Sequence, residues 1–420
     1  MWMGKIDRKA RADCYSLAET YYGLCLSFST MIETLAVSGY RSLRNLVLPL
    51  DRLNVVTGAN GSGKSSLYRA LRLLGDAAMN SVVSSLAREG GLASTLWAGP
   101  ETIGRAVKRG EFGVEGTVRQ KRVALKLGFA GAGYSYSVEL GYPPPLATPT
   151  MFELDPAIKR ECIWHGPVYR KSVALVDRNG PLVLLPGERG EEPLILTKDL
   201  SPGDSMLTTF ADPLRAPEMM AVRETIRGWR FYDSFRTDVG SPVRVPQVGT
   251  RTPVLNNDGT DLASALQTIV EIGDKEALER TIEDAFPGSR IGIEAQGGRF
   301  ELRLEQHGLI RPLGVAELSD GTLRFLLLTA ALLTARPPEL MVLNEPETSL
   351  HPDLLPALAR LIVAASKKCQ VVVVSHAQAL IQELEAAPGC KRLHLEKSFG
   401  ETLLAGRTLF NAPKWEWPPR

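Results

Sequence analysis

The stretch VVTGANGSGKSSLYRALRLL, residues 55–74, decides the fold of this chain. It satisfies the pattern GxxxxGK(S/T), whose fixed positions are Gly58, Gly63, Lys64 and Ser65. An apolar run precedes the glycines, and apolar side chains follow Lys64 at helical spacing, which predicts a strand, a loop and a helix in that order. Backbone N–H groups of such a loop converge on phosphates, and the helix adds its positive end. The stretch therefore predicts a nucleoside triphosphate site.

Each residue type in this loop has a chemical role. The glycines let the backbone turn back on itself, the lysine reaches the terminal phosphates, and the hydroxyl of Ser65 reaches Mg²⁺. We therefore expect a nucleoside triphosphate with its magnesium ion as the cofactor. The predicted nucleotide contacts within the loop are Gly58, Ala59, Asn60, Gly61, Ser62, Gly63, Lys64, Ser65 and Ser66.

The composition is that of a globular protein with a sizeable core, because 44% of the residues are hydrophobic and 23% are charged. A chain of 420 residues exceeds what one core usually serves, which predicts a main domain with a large insertion or a second lobe. The net charge of +2 neither supports nor excludes a nucleic-acid partner, since local basic clusters suffice for that purpose.

The cysteines and the apolar runs argue against several classes of protein. Five cysteines are scattered without CxxC pairs, which argues against a zinc site or a disulfide framework and favours a reducing cytoplasm. No apolar run reaches the roughly 18 residues of a membrane span, so we expect no membrane contact. The chain begins basic, like a signal peptide, but Glu19 interrupts the apolar region that should follow and no convincing cleavage site comes after it, which argues against export.

Three further motifs lie near the C-terminal end of the chain. LSDGT precedes a long apolar helix, and on its own it indicates an N-terminal cap formed by Ser319 or Asp320. In LMVLNEPE an apolar strand ends at the pair Asn344 and Glu345, and the apolar strand in VVVVSH leads to His376. Apolar strands that alternate with helices predict a parallel sheet covered by helices on both faces.

These motifs, in this order, resemble the RecF/SMC-like branch of ABC ATPases, in particular the compact bacterial AAA family ATPases without a fused Toprim nuclease. VSGYRSLRNLVLPLDRLNVVTGANGSGKSSLYRAL is similar to their opening. ELSDGTLRFLLLTAALL, LNEPETSLHP and VVVVSHAQALI resemble their signature, their Walker B motif with D-loop, and their histidine switch. The resemblance covers residues 31–74 and 315–384. It implies an α/β P-loop NTPase fold of the ABC-ATPase head type, with a mixed or parallel sheet flanked by helices, and it implies ATP as the nucleotide.

The resemblance and the pattern of apolar residues together divide the chain into segments. Alternating residues in VALKLGF and YSYSVEL predict an antiparallel β subdomain, and the prolines that follow end it. Short strand-like and helical pieces beyond the prolines predict an inserted α+β lobe. We expect a poorly ordered N-terminal extension over residues 1–30, the first half of the head with Walker A and the β subdomain over 31–150, the inserted lobe and the return to the head over 151–310, the second half of the head over 311–400, and a tail over 401–420.

The resemblance also implies roles for the residues of the C-terminal motifs. Glu345 would be the catalytic base, and His376 would sense the γ-phosphate or contact the attacking water. Ser319, Asp320 and Gly321 of one subunit would contact the ATP that is held by the phosphate loop of another. Two ATP molecules would then be buried between the subunits of a homodimer.

Asn344 departs from the family pattern, in which an aspartate at this position supports Mg²⁺. The asparagine retains a carbonyl oxygen but contributes no negative charge, so we expect weaker metal binding and slow hydrolysis. Two alternatives are a natural, neutral change at a position that acts through water, and an engineered change.

Four arginines are further candidates for function. Arg41 and Arg44 precede the phosphate loop, where they either contact phosphates or DNA or are simply solvated. Arg236 and Arg244 lie in FYDSFRTDVGSPVRVP, which is either a surface for nucleic acid or a structural loop.

Three functions compete for such a chain. By family analogy the favoured one is an ATPase whose dimerisation is coupled to DNA repair or metabolism, or to defence against foreign DNA. The alternative is a nucleotide-controlled switch that regulates a separate effector protein without contacting DNA. A transporter subunit is disfavoured, because its signature would be closer to LSGGQ.

Overall fold

The structure is a computed structural model. It describes residues 31–100, 124–143, 150–187, 192–210, 212–233, 235–406 and 413–419. The extension predicted over residues 1–30 lies outside the described residues. Within the described ranges, no helix is long and apolar enough to cross a membrane.

Towards the two ends of the described chain, helices and strands occur in the order that the apolar patterns predict. The strands are β1 (Ile32–Tyr40), β2 (Leu43–Pro49), β3 (Leu53–Gly58), β4 (Leu125–Gly131), β5 (Tyr134–Gly141), β6 (Ala157–His165), β7 (Ala174–Asn179), β8 (Leu182–Leu185), β9 (Leu194–Thr197), β10 (Arg230–Tyr232), β11 (Gln247–Val248), β12 (Ser289–Gln296), β13 (Arg299–Gln306), β14 (Leu313–Gly314), β15 (Leu340–Asn344), β16 (Gln370–Val374), β17 (Cys390–Ser398) and β18 (Glu401–Leu404). The helices are α1 (Lys64–Ala77), α2 (Val82–Arg88), α3 (Gly91–Thr95), α4 (Met206–Thr209), α5 (Pro217–Gly228), α6 (Leu262–Ile272), α7 (Lys275–Ala285), α8 (Asp320–Leu332), α9 (Leu355–Ser366) and α10 (Gln378–Glu385).

A mostly parallel sheet carries the phosphate loop. Its described strands lie in the order β10-β15-β16-β3-β17-β18, and every neighbouring pair except β17 with β18 is parallel. Asn344 lies opposite Val374, and Val374 lies opposite Val56. The carboxyl ends of β15, β16 and β3 therefore meet at one edge of the sheet.

Two apolar cores cover the two faces of this sheet, because successive residues of a strand point to opposite faces. Val56 and Val342 belong to the core that contains α1, α5 and the antiparallel strands. Val55 and Leu343 belong to the core that contains α6, α8, α9 and α10. The predicted fold class is confirmed: a mixed sheet is flanked by helices and lies beside an antiparallel β subdomain.

The antiparallel sheet extends beyond the segment in which it was predicted. Its described strands lie in the order β2-β1-β4-β5-β6-β7-β8-β9. β6 pairs with β5 from Tyr134 opposite His165 to Gly141 opposite Ala157. The division predicted between residues 150 and 151 thus crosses a continuous sheet. The residues predicted as an inserted lobe and a return to the head contribute β6–β9 to this sheet, β10 to the parallel sheet, and β11–β13 to a third, small sheet.

The predicted tail over 401–420 also begins inside the fold. β18 is the antiparallel edge strand beside β17. Further along, the ring of Trp415 packs edge-on against Trp164, with 5.6 Å between the ring centroids. Gly128 makes room for this contact, since a Cβ atom there would lie 2.7 Å from the Trp415 ring. Trp415 therefore packs on the face of the antiparallel sheet that carries Trp164.

A fully buried ion pair links β6 and β7 of the antiparallel sheet. Nη1 of Arg178 lies 2.7 Å from Oε2 of Glu161, and neither side chain is exposed. Glu161 also accepts hydrogen bonds from the hydroxyls of Tyr136 and Ser205, and Arg178 donates to the carbonyl of Ser201. The pair thus joins β6 and β7 to the loop before α4.

Replacing Arg178 with methionine leaves the charge of Glu161 buried without a counter-charge. We expect the free energy of unfolding to fall by about 3 kcal/mol, measured from the midpoint and slope of urea denaturation. The matched control is Arg227→Met, which breaks a surface pair with Glu224 and should cost less than about 1 kcal/mol. Equal losses of unfolding free energy in the two variants would show that the buried pair contributes no more to stability than the surface pair.

Candidate functional site

The phosphate loop between β3 and α1 needs its glycines for two separate reasons. Gly58, Gly61 and Gly63 have φ angles of 148°, 77° and 109°, a region that residues with a Cβ atom rarely adopt. A Cβ atom on Gly58 would lie 2.3 Å from the carbonyl oxygen of Leu395, and one on Gly63 would lie 2.2 Å from Oγ1 of Thr402. Strands β17 and β18 thus pack closely against the loop at Gly58 and Gly63, whereas a Cβ atom on Gly61 would meet open space.

The polar side chains of the loop fit an anionic ligand. Nζ of Lys64 donates to the carbonyl oxygens of Gly58 and Ala59 at 2.7 and 3.1 Å, so the ammonium group lies within the turn of the loop. Lys64 is buried, while Ser65 is exposed at the start of α1. Asn60 and Gly61 are exposed at the tip of the loop, Ser66 is half-buried, and Ser62 is buried with no hydrogen-bond partner for its Oγ among the described residues.

The pair Asn344 and Glu345 follows β15 at the same edge of the sheet. Oδ1 of Asn344 is buried, and among the described residues it has no hydrogen-bond partner. Glu345 has a φ angle of 48°. This left-handed backbone conformation is unfavourable for any residue that has a side chain. Its N–H donates to the carbonyl oxygen of Val374 at 2.8 Å, which fixes the turn to the end of β16.

His376 follows β16, the strand that lies between β15 and β3. Its Nδ1 lies 3.7 Å from Oε1 of Glu345, and both side chains are partly exposed. The structure thus brings Lys64, Asn344, Glu345 and His376 to one edge of the parallel sheet.

Two charged residues at this edge were not anticipated from the sequence. The buried Glu347 accepts hydrogen bonds at Oε1 from Oγ of Ser375 and from the N–H groups of His376 and Ala377. Its position in NEPE, two residues after Glu345, is the only signal of this role in the sequence.

The second unanticipated residue is Arg324 of α8. It is buried, and its Nη2 donates to the carbonyl oxygen of Glu345 at 3.4 Å. Burial lowers the pKa of Arg324, and the carboxylates of Glu347 and Asp233 oppose that effect. A basic residue inside the apolar run TLRFLLL could have identified it, because a buried charge usually has a charged partner.

The signature residues lie at the N-terminus of α8. Ser319 caps this helix, and its Oγ accepts a hydrogen bond from the N–H of Thr322 at 3.1 Å. Ser319 and Asp320 are exposed, while Gly321 packs so close to the D-loop that a Cβ atom would lie 2.9 Å from the carbonyl oxygen of Ser349. In the described part of the chain, no hydrogen bond or ion pair joins these residues to the phosphate loop.

Two of the candidate arginines, which precede the phosphate loop in the sequence, form ion pairs. Arg41 pairs with Glu89 at 2.6 Å, and Arg44 pairs with Glu401 at 3.0 Å. Both side chains are thus held in ion pairs within the fold, an arrangement that differs from both expectations, contact with phosphates or DNA and simple solvation.

The other two candidate arginines stabilise a loop and the signature. Arg236 pairs with Asp238 within its own loop at 3.0 Å. Arg244 donates to the carbonyl oxygen of Leu318 at 2.8 Å and pairs with Asp320 at 2.6 Å, so it positions the start of α8.

The site also fits Mg²⁺ bound together with a triphosphate. Among the described residues, no group of three or more His, Cys, Asp or Glu side chains is placed to hold a metal ion. Mg²⁺ in such sites usually binds phosphate oxygens, waters and only one or two protein ligands. The exposed hydroxyl of Ser65 and the unpartnered Oδ1 of Asn344 are the groups available for that role.

Comparison with known proteins gives one family match and several similar folds. The AAA_21 family model, described as "AAA domain, putative AbiEii toxin, Type IV TA system", matches residues 53–161 and 170–382. No curated protein matches the chain. Similar solved structures include an SmcHead bound to the C-winged helix domain of ScpA, which has 15% sequence identity and a TM-score of 0.49 and covers 91% of this chain and 99% of that one.

Two further solved structures are similar over most of their length. The Smc head domain with an extended coiled coil bound to the C-terminal domain of ScpA, derived from Pyrococcus furiosus, has 13% identity and a TM-score of 0.45, with 89% of this chain and 95% of that one covered. The SMC head domain from Thermotoga maritima has 15% identity and a TM-score of 0.40, with 90% and 100% covered.

Proposed function

The chain belongs to the AAA domain family whose model spans residues 53–161 and 170–382, and from that premise we propose that it is an ABC-type head that binds ATP with Mg²⁺, dimerises around the nucleotide in the cytoplasm and hydrolyses it slowly. One observation carries the proposal: three parallel strands bring Lys64, Asn344, Glu345 and His376 to one edge. Phosphate release by the purified chain with ATP and Mg²⁺ tests it. No turnover in this chain or in its Asn344→Asp variant would contradict hydrolysis.

Each residue at this edge of the sheet would have a separate role in hydrolysis. Mg²⁺, when bound, would neutralise charge on the phosphates. Lys64 would bind the terminal phosphates, and Glu345 would accept the proton of the water that attacks the γ-phosphorus while the bond to the bridging oxygen breaks. His376, 3.7 Å from Glu345, would contact the γ-phosphate or that water.

The signature supplies the argument for a dimer. Ser319 and Asp320 are exposed, and within the described ranges they have no bond to the phosphate loop of their own chain. The N-terminus of α8 carries the positive end of a helix, which attracts anions. We therefore assign Ser319, Asp320 and Gly321 to the ATP of a second copy.

Changing Asn344 to aspartate adds the charge that the metal site lacks. We expect the Mg²⁺ concentration for half-maximal turnover to fall about tenfold, because a carboxylate binds Mg²⁺ more tightly than an amide oxygen. Steady-state phosphate release across a magnesium titration measures this. Asn45→Asp adds the same charge at an exposed position on β2 and serves as the control. Equal magnesium requirements in all three proteins would refute a metal role for residue 344.

The target of the head is the finer part of the proposal. We favour DNA, in repair, in metabolism or in defence against foreign DNA. The uncharged Asn344 favours the second candidate, a slow switch that holds an effector protein. A gel shift with duplex and single-stranded DNA, with and without ATP, separates the two, since DNA binding should weaken steeply as salt rises. Absence of any shift at low salt with ATP would favour the switch.

A further inference from the structure

A buried carboxylate joins the two segments that carry the proposed catalytic side chains. Glu347 lies two residues after Glu345, and its side chain is only 6% exposed. The side chains of Glu345 and His376 are 42% and 56% exposed. Packing alone therefore does not fix either of them, and a buried anchor lies next to both.

The anchor binds one short segment at three points. Oε1 of Glu347 accepts from Oγ of Ser375 at 2.7 Å, from the N–H of His376 at 3.0 Å and from the N–H of Ala377 at 3.1 Å. Ala377 is the N-cap residue of α10, so all three donors belong to the link between β16 and this helix. Hydrogen bonds to a carboxylate are about twice as strong as those between neutral groups. The backbone of His376 cannot shift without breaking them.

The same oxygen faces the imidazole ring. Nδ1 of His376 lies 3.5 Å from Oε1 of Glu347 and 3.7 Å from Oε1 of Glu345. The same ring nitrogen thus lies near both the anchored carboxylate and the proposed base. Nη2 of the buried Arg324 donates to the carbonyl oxygen of Glu345 at 3.4 Å.

We propose that Glu347 is a positioning residue, which holds the segment Ser375 to Ala377 so that the ring of His376 stays beside Glu345. Its oxygen acts on the reaction through His376. The proposal rests on the proposed function for its effect on turnover, but the position of His376 is testable without turnover.

Turnover and ATP affinity measured side by side test the effect on hydrolysis. Glu347→Ala should lower kcat about 100-fold, as expected for a small misplacement of a reacting group, with ATP affinity changed less than about twofold. Glu347→Gln keeps an acceptor oxygen and should recover most of the loss, to within about tenfold of the unmodified chain. Glu383→Gln, at an exposed position of α10, should change neither quantity. A kcat for Glu347→Ala within twofold of the unmodified chain would overturn the proposal.

A spectrum of ¹³C-labelled histidines tests the position of the ring directly. The chain has five histidines, and the spectrum of His376→Gln identifies the resonance of this one by its loss. The resonance should move in Glu347→Ala, move less in Glu347→Gln, and stay in place in Glu383→Gln. An unmoved resonance in a folded Glu347→Ala variant overturns the proposal. If the unmodified chain shows no turnover, the proposed function fails, while a shifted resonance still supports the positioning role.

Discussion

Replacing Lys64 with alanine should lower the affinity for ATP about 1,000-fold, or roughly 4 kcal/mol, as expected when a buried charged partner is removed. Nζ of Lys64 lies within the turn of the loop, 2.7 and 3.1 Å from two of its carbonyl oxygens. Under the proposed function, this charge binds the terminal phosphates of the nucleotide. Titration with a fluorescent, non-hydrolysable ATP analogue measures the effect.

The control for this variant is Arg69→Ala, which removes an exposed positive charge from the same helix. It should change affinity less than about threefold, because exposed charges are screened by water and salt. If Lys64→Ala bound the analogue as tightly as this control, the loop between β3 and α1 would not be the phosphate site.

Glu345→Gln should lower turnover about 1,000-fold while ATP binding stays within a few-fold. Glutamine has nearly the same shape as glutamate, but its amide cannot accept a proton from water at neutral pH. Single-turnover phosphate release with saturating ATP isolates this step from binding. Glu396→Gln, at an exposed position of β17, is the matched control. Turnover within threefold of the unmodified chain would remove Glu345 from the role of base.

The part of the site that depends on neighbouring residues could be predicted from the sequence. A strand that ends at Gly58 and a helix that begins at Lys64 agree with the structure, since the apolar run, the glycines and the helical spacing are contiguous. The cap at Ser319 follows from residues within one turn of helix, and the structure contains it.

The arrangement of the strands around the loop could not be predicted in the same way. β3 pairs with β16, whose residues follow more than 300 positions later, and apolar strands carry no signal that selects their neighbours. Thr402 shows the same limit, because the tail was expected to start before it, yet its Oγ1 lies 2.8 Å from the carbonyl oxygen of Ser62. Contacts of this kind depend on the tertiary fold and leave no local pattern.

The partners of charged side chains were equally hidden in the sequence. Arg244 was a candidate for nucleic acid because it lies among aromatic residues, but the structure places it against Asp320 and the carbonyl oxygen of Leu318. Glu345 was predicted as a site residue and Glu347 was not, although Glu347 is the more buried of the two. Residue type tells which bonds a side chain can form, whereas the fold decides which of them it forms.

The mass of Glu345→Gln in solution tests the central claim of a shared nucleotide site most directly. Light scattering with ATP and Mg²⁺ should give twice the 45.8 kDa of one chain, while ADP, or a second change of Ser319 to arginine, should restore the single mass. A single-chain mass with saturating ATP and Mg²⁺ at every protein concentration would contradict the claim that two heads enclose the nucleotide.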